Sequence, residues 1–212
     1  MVRGLLIAGS VATALALVLA VLDAQAGAMA AERAAVAAVR AGDQLRPGDL
    51  AFRRGRSVQS AAVLASSTDA RFSHVGVAVS TPAGLRVAHS LPPERGAIGG
   101  VRLSTWAEFA AEPDVGAVAI FRLIATPLER AAVSAAAADL VGLPFDGDFR
   151  VQPEGRFYCT QVALEALEVV IPRVRAQVPT TQVALLGDRV FLPDSLLSLQ
   201  GLTLVASTEK EQ

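Results

Sequence analysis

Apolar and polar positions alternate from Phe72 to Val79, with His74, Gly76 and Ala78 on one side. A period of two predicts a strand. Thr81-Pro82-Ala83-Gly84 predicts a turn, and Leu85 to Ser90 the return strand. Upstream, Leu45-Arg46-Pro47-Gly48-Asp49-Leu50 predicts a turn feeding a short strand from Leu50 to Arg53, with Asp49 as a turn former. Val58 to Ser66 fits a helix. Pro92 to Gly100 is a loop by its Pro and Gly content. Ser104 or Thr105 then caps a short helix running through Glu112, and Thr105 with Glu108 has capping-box spacing. Val115 to Leu123 is apolar, carries β-branched residues and predicts a buried strand.

Thr126-Pro127-Leu128-Glu129 is a second capping box, with proline at the first helical position. That helix is expected to run to Val141 and to stop at Gly142-Leu143-Pro144. Another helix opens at Cys159, runs to Val170 and is ended by Pro172. Its apolar side is Cys159, Val162, Ala163, Ala166, Leu167 and Val170, the helical period. Arg173 to Thr181 reads as irregular, and Pro193-Asp194-Ser195 is placed to start a helical turn among the short apolar segments of Val190 to Val205. No repeat or low-complexity linker interrupts residues 45–205, which predict one α+β domain. Residues 206–212 form a polar tail, and residues 27–44 an alanine-rich helical lead-in.

The N-terminus changes the picture. Arg3 precedes an uncharged apolar stretch from Gly4 to Leu22, and Ala24-Gln25-Ala26 offers a small-x-small cleavage site. Residues 1–26 are therefore read as a signal peptide or, if uncleaved, a membrane anchor through residues 4–22. Either reading exports the remainder to the periplasm or the extracellular space. The net charge of −1, without a basic block, gives no reason to expect a nucleic-acid partner.

Candidate chemistry is sparse enough to be specific. Cys159 is the only cysteine, so it has no internal disulfide partner, and His74 and His89 are the only histidines. A helix N-terminus offers unpaired N–H groups and a positive dipole end, which favour the thiolate, the nucleophilic form. A hairpin that closes at Thr81–Gly84 pairs Ser80 with Leu85. It then sets His74 and His89 on one face as diagonal neighbours, a base and its orienting partner. A one-residue slip would separate them. The alternatives are a buried structural cysteine and two unrelated histidines. Two histidines and one cysteine would also suffice in number for zinc, but their spacing matches no zinc motif, and neither a metal nor a cofactor is expected. Asp146 and Asp148 read as part of a turn rather than as paired acids. Ser60, Ser67 and Ser73 lack a nucleophile-elbow context.

Four motifs occur in order: Pro47-Gly48-Asp49-Leu50, Phe72-Ser73-His74-Val75-Gly76, Gly142-Leu143-Pro144-Phe145-Asp146 and Tyr158-Cys159-Thr160-Gln161. Together they resemble the circularly permuted papain-like hydrolases of the NlpC/P60 superfamily, in particular the YiiX/YaeF-like group. The resemblance spans residues 45–205 and includes Pro193-Asp194 near the domain's end. It implies a small antiparallel sheet with the nucleophile at the N-terminus of a packed helix. It implies Cys159 as nucleophile, His74 as base and His89 as the third polar residue. The implied activity is cleavage or transfer at an amide or ester, on a cell-wall peptide or a lipid-linked acyl group. Two departures stand out: Thr160-Gln161 replaces the usual Ser-Glu, and Phe145 replaces the usual Tyr. Two rival functions remain open: a membrane-associated thiol acyltransferase acting on lipids, and a non-catalytic cell-envelope binding module.

Overall fold

The alternating stretch around His74 is a central strand in the computed structural model, which describes residues 19–27, 29–30, 32–33, 36–94, 96, 98–110, 115–183 and 188–209. The chain divides into two compact units, Met1–Ala37 and Ala38–Gln212. In the first, the described residues are helical and exposed. Among the described residues no helix is long and apolar enough to cross a membrane. Residues 4–18 of the expected signal or anchor lie outside the described residues, as do residues 111–114 at the expected end of the Glu112 helix and residues 210–212 of the tail.

Among the described residues the second unit has eight strands: β1 (Leu50–Gly55), β2 (His74–Thr81), β3 (Gly84–Leu91), β4 (Gly100–Ser104), β5 (Val115–Leu123), β6 (Thr181–Val183), β7 (Asp188–Val190) and β8 (Leu202–Ser207). Six form one sheet in the order β4-β3-β2-β1-β5-β8, every neighbouring pair antiparallel, while β6 and β7 pair separately. The helices are α1 (Val58–Leu64), α2 (Trp106–Ala110), α3 (Pro127–Asp139) and α4 (Cys159–Leu167).

Side-chain alternation divides the sheet into two buried faces. Leu50, Phe52, Val75, Val77 and Val79 face α3 and α4, meeting Val133, Ala137, Ala163, Leu164 and Leu167. Ala51, Ala78, Val87, Val118 and Ile120 face the other way, against Leu45 and Phe109. The core is aliphatic apart from a few phenylalanines; Phe52, Phe72 and Phe109 are fully buried, each burial contributing about 1.5–3 kcal/mol.

The hairpin register is the expected one, Ser80 opposite Leu85, and pairing continues to Thr81 opposite Gly84. The loop is thus only Pro82-Ala83, with Gly84 at φ 96° and the Thr81 hydroxyl bridging Ala83 N–H and Gly84 C=O. The capping box at Thr126 and Glu129 is present in both directions. Thr105 rather than Ser104 caps α2, through a reciprocal bond with Glu108. Helix α4 stops at Leu167, short of Val170, where the Val170 and Ile171 amides both turn back to the Leu167 carbonyl. Strands β4, β6 and β8 are short segments for which the sequence predicted no strand; each pairs antiparallel with a neighbouring strand.

Candidate active site

His74 opens β2 opposite Arg53 of β1, and His89 of β3 lies opposite Arg102 of β4. Their imidazoles share the face that carries Ala78 and Phe109. His74 Nε2 and His89 Nδ1 are 2.8 Å apart, with the rings nearly perpendicular at 80°. The ring of Phe109 packs on both, its centroid 5.9 Å from that of His74 and 5.3 Å from that of His89. On its far side His89 places Nε2 3.0 Å from Ser104 Oγ. Ser104 sits two residues beyond Arg102 and therefore on the same face of β4.

This row of polar groups is enclosed. His89 is 1% exposed and His74 9%. Burial is the main reason both imidazoles are held neutral. It lowers His74 well below its ordinary value, helped by the charges of Arg53 and Arg102 and by the repulsion His89 would exert if both rings were protonated. It lowers His89 to about 3, helped by Arg53 and Arg102. Arg53 is anchored above the Phe109 ring, 5.2 Å from its centroid, with Nη1 donating to the Phe109 carbonyl.

Cys159 is the first residue of α4, and three contacts fix the turn before it. Ser90 Oγ donates to the Phe157 carbonyl, tying β3 to this turn. Tyr158 Oη accepts from Phe191 N–H at 3.1 Å. Gln161 Oε1 accepts from Tyr158 N–H at 3.0 Å, and its amide NH₂ donates to the Arg150 carbonyl. The β2–β3 ladder is paired from Val77 opposite Ala88 outward. Helix α4, which Cys159 opens, packs against β2. Among the hydrogen bonds of the described residues, none joins Cys159 Sγ to either imidazole.

The electrostatics differ from the sequence expectation. The helix start was expected to favour a thiolate, yet burial pushes the half-buried Cys159 upward from its ordinary value. The Val75 amide, the Thr160 hydroxyl and amide, and the Arg53 charge pull the other way without prevailing. Burial thus favours the uncharged forms, thiol and neutral imidazole.

The remaining candidates resolve into structural roles. Asp146 accepts from the Asp148 and Arg150 amides at 3.1 and 2.8 Å, closing a turn. Ser60 lies in α1, its amide capped by Ser57 Oγ, and Ser73 Oγ accepts from Gly55 N–H. Asp49 is more than a turn former: fully buried, it accepts both arms of Arg122 at 2.8 and 2.7 Å. Sequence reasoning missed Arg53, Ser90 and Ser104, and it did not see what Asp194 does. Asp194 Oδ2 accepts from Arg71 and Phe72 N–H at 2.6 and 3.0 Å, holding the chain that leads into His74.

The profile of the permuted papain-like amidase enzymes, YaeF/YiiX, matches residues 44–210. The chain belongs to that family. Membership makes it a cysteine hydrolase of amidase type, with the permuted papain-like fold expected from the four motifs. A crystal structure described as the metalloprotein YiiX from Escherichia coli is similar in fold, with a TM-score of 0.62 at 20% identity, covering 77% of this chain and 97% of that one. No curated protein matches the chain.

Proposed function

We propose that this family member is an exported cysteine hydrolase that cleaves an amide through an acyl-enzyme on Cys159, with His74 as base and then acid. His89 orients His74. The observation that carries the reading is that Cys159 opens α4, which packs on β2, the strand whose first residue, His74, is held by His89 at 2.8 Å.

Because Nε2 of His74 is turned to His89, Nδ1 is its remaining nitrogen for the thiol. In the reaction Cys159 Sγ bonds to the carbonyl carbon while its proton passes to His74 Nδ1. The carbonyl oxygen becomes an oxyanion, met by the Cys159 amide, which as first residue of α4 has no helical acceptor. The C–N bond then breaks, and the leaving amine takes the proton from Nδ1. A water attacks the thioester and gives one proton to Nδ1; the C–S bond then breaks, Nδ1 returns that proton to the sulfur, and the carboxylic acid departs and ionises in solvent. The apolar N-terminal stretch and the resemblance support a cell-envelope substrate, a peptide or a lipid-linked amide.

The YiiX relative is described as a metalloprotein. Here, among the described residues, no three of His, Cys, Asp and Glu gather to hold a metal ion. His74 and His89 spend facing nitrogens on each other. The donor set does not fit a metal centre, and no step above is routed through one.

The test is turnover of a panel of acyl-peptides and N-acyl amides by the full chain, with intact-mass detection of an acyl adduct. Wild type should release amine and carry the adduct on Cys159. Cys159→Ala should do neither, and His74→Ala should lose about 10²–10⁴-fold in rate. Undiminished turnover by Cys159→Ala would overturn the reading.

A further inference from the structure

Ser104 completes a row of three buried polar groups. His74 Nε2 meets His89 Nδ1 at 2.8 Å, and His89 Nε2 meets Ser104 Oγ at 3.0 Å. Ser104 is 8% exposed and His89 1%, so both ring nitrogens of His89 depend on these protein partners. Thr105 does the capping of α2, which leaves the Ser104 hydroxyl to the histidine.

A row of this kind can run in only two directions, because a neutral imidazole carries one N–H and one bare nitrogen. In the first, His74 Nε2–H donates to His89 Nδ1, and His89 Nε2–H donates to Ser104 Oγ. His74 Nδ1 is then bare. In the second, the Ser104 hydroxyl donates to His89 Nε2, His89 Nδ1–H donates to His74 Nε2, and His74 Nδ1 carries the proton. Only the first leaves a base for the Cys159 thiol.

We infer that Ser104 is a positioning residue that makes the productive tautomer of His74 available, acting through His89 as the acceptor that ends the row. The inference rests on the proposed role of His74 as base and deepens it. Its physical core is the asymmetry of buried orphans. A buried N–H without an acceptor is rarer than a buried acceptor without a donor. Removal of the Ser104 oxygen orphans His89 Nε2–H in the first direction but only a bare nitrogen in the second. His89 then moves its proton to Nδ1, and His74 is forced into the form that cannot take a proton on Nδ1.

Because the chain holds just two histidines, the experiment reads each ring directly. Long-range ¹H–¹⁵N spectra of the full chain distinguish a protonated from a bare ring nitrogen. Wild type should show His74 as Nε2–H, and Ser104→Ala should show it as Nδ1–H. Ser104→Thr, which keeps the hydroxyl, should restore the wild-type pattern. Turnover should follow, with kcat down roughly 10²-fold in Ser104→Ala, KM little changed and Ser104→Thr rescued. Ser104→Cys, a weaker acceptor of similar size, serves if the alanine variant does not fold, and should also shift His74 toward Nδ1–H. A wild-type His74 protonated at Nδ1, or an unchanged tautomer in the folded Ser104 variants, overturns the inference. Failure of the base role shows separately, as undiminished turnover in His74→Ala, whatever the spectra report.

Discussion

Gly76 lies directly beneath His89: a Cβ built on Gly76 would stand 3.0 Å from His89 Cβ and 2.5 Å from Val87 Cγ1. Glycine is what lets β3 cross β2 closely enough for the two imidazoles to bond. Gly76→Ala should therefore push His89 away from His74. The overpacking should cost about 1–3 kcal/mol, read by denaturant unfolding. Amide hydrolysis should fall further than that loss accounts for, measured under conditions where the variant is fully folded. Wild-type hydrolysis by folded Gly76→Ala would show that the close crossing is dispensable.

The buried neutral histidines predict how stability responds to acid. Both have folded values below the unfolded one, so below about 6.5 the unfolded chain binds protons that the folded chain refuses. Their contribution is fully present above that pH. For His89 it is lost as pH falls from 6.5 toward its folded value of about 3, at about 1.4 kcal/mol per pH unit. Denaturant titrations at successive pH values should show at least this slope, since His74 adds to it, and His89→Gln should remove the share of His89.

How much of this was legible follows from sequence distance. The His74–His89 relationship could be read because a tight turn fixes the register between β2 and β3, and parity then sets the face. Ser104 was not legible, since the register of β4 depends on the irregular loop from Pro92 to Gly100. Asp194 bonds Arg71 and Phe72 from more than 120 positions away, a contact no local pattern encodes. The direction of the Cys159 shift was missed because a helix start is visible in sequence and the burial of its sulfur is not.

Gln161 marks where the chain departs from the Glu usual in the resembling family, and the structure supplies a physical reason for an amide. Fully buried, it accepts from Tyr158 N–H and donates to the Arg150 carbonyl. A carboxylate could keep only the first bond and would set negative charge against a carbonyl oxygen. Gln161→Glu should cost about 1–3 kcal/mol and loosen the turn before Cys159. The check is unfolding by denaturant, together with hydrogen exchange at the Tyr158 amide, which should quicken.

Asp194 tests whether the approach to His74 must be held. Its Oδ2 accepts from two successive amides, and its Oδ1 is buried without a hydrogen-bond partner among the described residues. Removal of the side chain in Asp194→Ala leaves the Arg71 and Phe72 amides to find new acceptors, at a cost of about 1–3 kcal/mol. The Arg71–Phe72 segment should then exchange faster, and the His74 imidazole should lose its fixed orientation to His89. An unchanged His74–His89 hydrogen bond in the ¹⁵N spectra of the folded variant would confine Asp194 to stability alone.

The resting state of the thiol is the last point to test. Burial raises Cys159, and His74 is neutral, so at neutral pH the sulfur carries its proton. Alkylation by a small neutral reagent follows the thiolate, so its rate should climb only toward alkaline pH, with a midpoint above the ordinary thiol value of about 8.5. Arg53→Met removes a charge that favours the thiolate, and should move the midpoint higher still. His74→Ala should leave the midpoint nearly in place while lowering turnover about 10²–10⁴-fold, because a neutral base matters only when the proton moves during attack. A midpoint below pH 7 that disappears in His74→Ala would instead reveal a standing thiolate–imidazolium pair.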